Sequence, residues 1–278
     1  MVKIDLGTHI DGYIALSAHT LVVGHVPNPS APITGPRANV IHAAWTAANV
    51  AAKLIRPGNT NAQVTEAIKK ITEAYGVKAI VGGMIHQMKR YVIEVTTKQA
   101  ILRDDIPEHK VDACTFEPFE VYALDIAMSS GKGMPRDMSA RTTVYRRKVD
   151  VKYGLRNKAS RAFFNDVNKV APTMPFSLRM FSDEKSAKLG VRECVSHDLL
   201  APYPVVYEHD GDVVAHVKFT VLLLASGNSI ITGLPVPEGF ACPDVTLPED
   251  IQTILAQEDK KAAKKKAAKA AAAGGAGK

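Results

Sequence analysis

The chain has 278 residues, 46% hydrophobic and 23% charged, with a net charge of +7. That length and apolar content support a substantial core in one large domain or two ordinary ones. A membrane-spanning chain is excluded, because the most apolar run, Val217 to Ala225, is interrupted by Lys218 and is too short to cross a bilayer. No basic, then apolar, then small-residue leader is visible at the N-terminus. Cys114, Cys194 and Cys242 are far apart, odd in number and without C-x-x-C spacing, which reads as reduced, buried thiols in a cytosolic or nuclear protein.

In chain order, Ile4 and Leu6, then Ile14, Leu16 and Ala18, alternate across Asp11-Gly12, which predicts a β-hairpin. Pro27, Pro29, Pro32, Gly35 and Pro36 predict a loop. An alanine-rich helix is expected from Ala38 to Ile55, stopped by Pro57-Gly58. A second runs from Asn61 to Tyr75, capped by Thr60 or Asn61 and ended by Gly76. Residues 79–95 read as a loop and strand containing His86, and Glu120 to Ala127 as a buried strand. "SRAFFNDVNKV" and "SDEKSAKLGVRECVSHDLL" read as two helices of a small insert, residues 150–201. Strands then follow at Val205 to Glu208 and Val213 to Leu224, expected to pair across the "HDGD" turn. A last helix, Pro248 to Gln257, leads into an alanine/lysine tail. Strand pairs alternating with helix pairs predict an α+β architecture.

The charge is localised. Lys260, Lys261, Lys264, Lys265, Lys266, Lys269 and Lys278 lie in a tail without acids, so residues 1–259 are neutral overall. A second concentration covers residues 141–169, where Arg146, Arg147, Lys148, Lys152, Arg156, Lys158 and Arg161 are interleaved with Tyr145, Tyr153, Phe163 and Phe164. Cations beside aromatics suit an RNA surface; a merely solvated surface gives the same charge pattern, and Phe163-Phe164 reads as insert core. "SSGKG", residues 129–133, lacks phosphate-loop spacing and reads as a tight loop. By themselves His86 reads as an ordinary hydrogen-bonded histidine and Lys218 as a strand residue facing solvent.

The segments "KIDLGTHIDGYIALSAHT", "RPGNTNAQVTEA", "MIHQMKRYVIE", "FEPFEVYALDIAMSSGKG", "YGLRNKASRAFFNDV", "MPFSLRMF", "ECVSHDLLAPYPVVYE" and "VKFTVLLL", in this order, resemble the proliferation-associated, ErbB-receptor-binding protein family. Those proteins are catalytically inactive relatives of type 2 methionine aminopeptidase. The resemblance implies a pita-bread fold, residues 1–149 with 202–258, carrying a helical insert, 150–201, and a flexible basic tail, 259–278. In the aminopeptidases two aspartates, a histidine and two glutamates hold two divalent ions that activate a bridging water. The matching positions here are Asp5, Leu16, His86, Asp125 and Lys218. Leucine has no lone pair and a lysine ammonium only donates, so two of the five ligands are lost and no cofactor is expected. The ammonium of Lys218 is expected to take the cation's structural place between Asp5 and Asp125.

The resemblance further implies association with ribosomes and ribosomal or messenger RNA, a role in translation, ribosome biogenesis and growth, and residence in cytoplasm and nucleolus. The RNA-contacting residues are then expected to be Arg146, Arg147, Lys148, Lys152, Arg156, Lys158, Arg161 and the tail lysines Lys260, Lys261, Lys264, Lys265 and Lys266. Protein partners could use the C-terminal helix or the old substrate pocket, although Ile251, Ile254 and Leu255 are expected to pack on the body. Two other readings stand beside this one: a degenerate metallopeptidase using Asp5, His86 and Asp125, and a module that binds protein termini in the old pocket. Family members carry a long segment before the first hairpin, so Ile4, Leu6, Ile14 and Leu16 are expected to lose part of their cover.

Overall fold

The computed structural model describes residues 1–257 apart from Pro29, Ser139 and Ser226. The predicted tail, with Lys260, Lys261, Lys264, Lys265 and Lys266, lies outside the described residues. The N-terminal half contains β1 (Val2–Ile10), β2 (Tyr13–Leu21), α1 (Pro36–Leu54), α2 (Asn61–Tyr75), β3 (Lys78–Ala79), β4 (Met84–Lys89), β5 (Val92–Ile101) and β6 (Val121–Ser129). There follow β7 (Arg136–Asp137), β8 (Val144–Arg147), α3 (Lys158–Val170), β9 (Phe176–Ser177), α4 (Glu184–Ser196) and β10 (Leu200–Tyr203). The chain closes with β11 (Val206–Tyr207), β12 (Val214–Leu224), β13 (Gly227–Ile230) and α5 (Glu249–Ala256).

Local chemistry explains most boundaries. The β1–β2 hairpin turns at Asp11 and Gly12, with φ of 50° and 83°, the left-handed pair that matches strand twist. Pro36 opens α1, where its missing N–H costs nothing. Thr60 and Gln63 form a reciprocal capping box on α2, and Gly76 ends that helix at φ 64°.

The main sheet is 8-stranded, ordered β1-β2-β12-β6-β4-β5, with β13 also on β12 and β3 on β6. One face buries Tyr122, Leu124, Ile126, Val217, Phe219 and Val221 under α1 and α2. Ile251 of α5 is fully buried in that core, with Ile254 and Leu255 packed partly against it, so the apolar side of the C-terminal helix is used internally. A second core contains Tyr145, Leu155, Phe163, Phe176, Val191, Cys194 and Leu200. It is built from α3, α4 and the strands β10-β8-β9, so this small unit reaches beyond residues 150–201 on both sides.

Two expectations need correction. Residues 205–208 do not pair with β12; β11 pairs antiparallel with β7 instead. The turn exists, with Asp212 N–H donating to His209 O at 3.1 Å, but β12 already has β2 and β13 along one edge and β6 along the other. The hairpin residues also divide. Ile4 and Leu6 on edge strand β1 are 44% and 65% exposed, whereas Ile14 and Leu16 are buried with Met88 and Met174 in a third cluster.

Candidate functional site

Strand alternation sends Asp125 and Lys218 to the sheet face opposite α1 and α2. The register places Asp5 opposite Ala18, Ala18 opposite Lys218, and Lys218 opposite Asp125. These four residues form one row across β1, β2, β12 and β6. Ala18 is small enough for the lysine stem to pass over it. The ammonium lies 2.9 Å from Asp5 Oδ2 and 3.0 Å from Asp125 Oδ2.

Two threonines hold the row in place. Between β2 and β12 the ladder has the single pair Lys218–Ala18. Thr220 Oγ1 accepts from Leu16 N–H at 2.8 Å and donates to Leu16 O at 2.9 Å. Thr20 Oγ1 accepts from His216 N–H at 2.7 Å and donates to His216 O at 2.9 Å. The hydroxyls thus satisfy backbone groups that a closer ladder would have paired, and the two strands stay apart beside Lys218.

The electrostatics is that of a paired, partly buried charge cluster. Burial opposes the charge on Lys218, whose side chain is 10% exposed, but Asp125 and Asp5 hold its pKa above the usual lysine value. Burial alone would raise the Asp125 pKa; the His216 hydrogen bond and the Lys218 charge hold it well below the carboxylate range. His216 Nε2 lies 2.6 Å from Asp125 Oδ1. Burial pushes the His86 pKa down, offset in part by Asp125 and Glu94, and its Nδ1 is buried without a hydrogen-bond partner among the described residues.

Asp5, His86, Asp125 and Lys218 line a cavity of about 930 Å³. Its walls are apolar: Ile14, Leu16, Ile93 and Met84 come from the main sheet region, and Val170, Met174 and Met180 from the small unit. Glu94 lies at its edge, accepting from Gln99 Nε2 at 3.0 Å with Arg146 Nη1 4.0 Å away.

The basic segment does not present a single array. Arg146 faces Glu94, Arg147 lies over the Phe164 ring at 5.5 Å, and Lys148 pairs with Asp198. Arg161 donates to the carbonyls of Leu155 and Arg156. Lys152, Arg156 and Lys158 are exposed. Tyr153, next in sequence to Lys152, stacks on His197, centroids 3.6 Å apart and planes 13° from parallel.

Residues 1–135 match metallopeptidase family M24. ErbB-3 binding protein 1 of Solanum tuberosum is 46% identical over 239 residues, which cover 86% of this chain and 60% of that protein. A curved DNA-binding protein of Schizosaccharomyces pombe is 40% identical over 248 residues, covering 88% of this chain and 63% of its own length. The solved structure of a thermophilic Arx1 superposes with a TM-score of 0.83 at 27% identity, covering 92% of this chain and 73% of that one. The chain is similar to these proteins, and its first 135 residues are similar to the M24 metallopeptidases. Its fold is the expected α+β, pita-bread fold, and it spans 60% of the length of the potato relative.

The residues present do not fit the aminopeptidases' pair of ions. Lys218 places a donor-only cation between the two remaining carboxylates, where it repels a metal and occupies their lone pairs. Leu16 presents an alkyl group to the same cavity. His216, Thr20, Thr220 and Glu94 escaped the sequence reading. His216 carried a usable signal: it stands two residues before Lys218 in an alternating strand, hence on the same face.

Proposed function

We propose that this protein is a non-hydrolysing binding protein that attaches to ribosomes or their RNA and modulates translation, ribosome biogenesis and growth, in the cytoplasm and nucleolus. The observation that carries the reading is the Lys218 ammonium held between Asp5 and Asp125, where hydrolysis would require metal. An attack on a peptide carbonyl needs an activated water, and an ammonium neither binds one as a Lewis acid nor takes its proton. The binding half is supported by the exposed Lys152, Arg156 and Lys158 and the stacked Tyr153–His197 pair in the same segment, by the name of the S. pombe relative, and by the family resemblance.

Co-sedimentation with ribosomes tests it. Each phosphate contact contributes a slope of about −0.9 in log affinity against log salt, so three contacts lose about 40-fold between 50 and 200 mM salt. Neutralising Lys152, Arg156 and Lys158 together should remove that salt-dependent component, while neutralising the inward-engaged Arg147 should change it little. Unchanged sedimentation of the triple variant would reject this surface.

The cavity supports a second reading, capture of a protein terminus: apolar walls suit a side chain and Glu94 or Asp5 suits an α-amino group. That reading requires binding insensitive to salt and lost on filling the cavity, for example with Ala171→Phe.

A further inference from the structure

The loop leaving β6 and the loop entering β12 meet at one end of the sheet, where Ser129 pairs with Val214. Glu208, His209 and Asp212 there bring one ligand-type atom each to within 4.8 Å of one another. The Glu208 side chain is only 3% exposed, yet its Oε2 is buried with no hydrogen-bond partner among the described residues. Its Oε1 accepts from the Lys132 amide at 3.1 Å and lies 3.6 Å from His209 Nδ1. Asp212 Oδ1 accepts from Ser130 Oγ at 3.2 Å. Both carboxylates press on Gly131, where a Cβ would come 2.2 Å from Asp212 Oδ2 and 2.9 Å from Glu208 Oε1. A side chain at position 131 would push these carboxylates aside.

A buried carboxylate oxygen without a donor is costly and calls for a cation or a proton. We propose that Glu208, His209 and Asp212 bind one divalent transition ion of the zinc or manganese class, at a site separate from the row of Asp5, Lys218 and Asp125. Two carboxylates with one imidazole suit such an ion. Calcium, which takes six to eight oxygen ligands, fits this set poorly. His209 is 45% exposed, so the ion can enter and keep water in its remaining positions. Bound there, it orders the loop entering β12, the strand that carries Lys218, and fixes the carboxylates that accept from Ser130 and Lys132 of the loop leaving β6. Because the unfolded chain has no such cluster, ion binding stabilises the fold.

The test is calorimetric titration of the chelator-treated full chain with zinc or manganese chloride, paired with thermal unfolding. The parent and a His86→Ala variant should each take up one ion and melt higher with metal. Glu208→Gln, His209→Ala and Asp212→Asn should each weaken uptake by at least about tenfold and abolish the metal-induced rise. His209 is exposed, so His209→Ala should fold like the parent by circular dichroism and keeps the test valid if a carboxylate variant misfolds. No uptake by the folded parent at about 1 mM metal, uptake unchanged in His209→Ala, or uptake lost in His86→Ala would overturn the assignment.

Discussion

Replacing Lys218 by methionine keeps most of the apolar stem and removes the ammonium. Breaking a fully buried ion pair by deleting one partner costs about 3–5 kcal/mol. The two carboxylates here are not equally stranded. Asp5 is 47% exposed and regains water, so its share is that of a surface pair, at most about 1 kcal/mol. Asp125 is 31% exposed and keeps His216 at 2.6 Å, which offsets part of its loss. The net expectation is about 2–3 kcal/mol, read as a thermal midpoint lowered by about 3–5 °C for a chain of this size. Combining Lys218→Met with Asp125→Asn should recover at least about 1 kcal/mol, because the uncompensated charge is gone. The acid side gives a second readout. A carboxylate whose pKa is depressed by folding stabilises the fold above its ordinary value of 3.8, and that stability is lost as the pH falls through the depressed value. Lys218→Met removes part of the depression and should flatten this acid-side slope. A midpoint within 1 °C of the parent, or strictly additive single and double variants, would refute the reasoning.

Thr220→Val should leave the Leu16 N–H without its acceptor at 2.8 Å and cost about 1–3 kcal/mol, measurable by urea unfolding; no change would mean that the hydroxyl bridge does not hold β2 to β12. Burial lowers the His42 pKa below 6.5, so the fold holds it neutral and its contribution is present above that value and lost as the pH falls through the depressed one. Unfolding curves between pH 7.5 and 5.5 should show that slope, and His42→Gln should reduce it. Gly190→Ala would place a Cβ 2.6 Å from Phe163 Cβ and 3.0 Å from Ala159 O, so the gain of about 1 kcal/mol in helix propensity is outweighed by overpacking of about 1–3 kcal/mol. Amide exchange should then accelerate in α3 and α4 before it does in β6 and β12.

The parts of the fold legible in the sequence are those set by neighbours in the chain. Asp11-Gly12, a cap at Thr60 or Asn61 and Gly76 each act over a few residues, and the hairpin and α2 lie where they predict. Strand β11 was misassigned because pairing depends on which sheet edges remain free, and only the assembled order shows β12 occupied on both sides. The charge row shows the same limit. No local pattern sets residue 5 beside residue 218, and the positions came from the family resemblance; their distances came from the register. His216 was accessible by alternation alone. Counting cations located the basic segment but not its direction, since Arg147 turns onto Phe164 and Arg161 onto backbone carbonyls, while Lys152, Arg156 and Lys158 face outward.

The most direct measurement is hydrolysis of a methionyl tripeptide by the purified chain, with manganese or cobalt supplied and His86→Ala as the control. The account predicts release of methionine no faster than in the protein-free blank, because Lys218 stands where the ions would have to bind. Turnover by the parent that disappears in His86→Ala would contradict it.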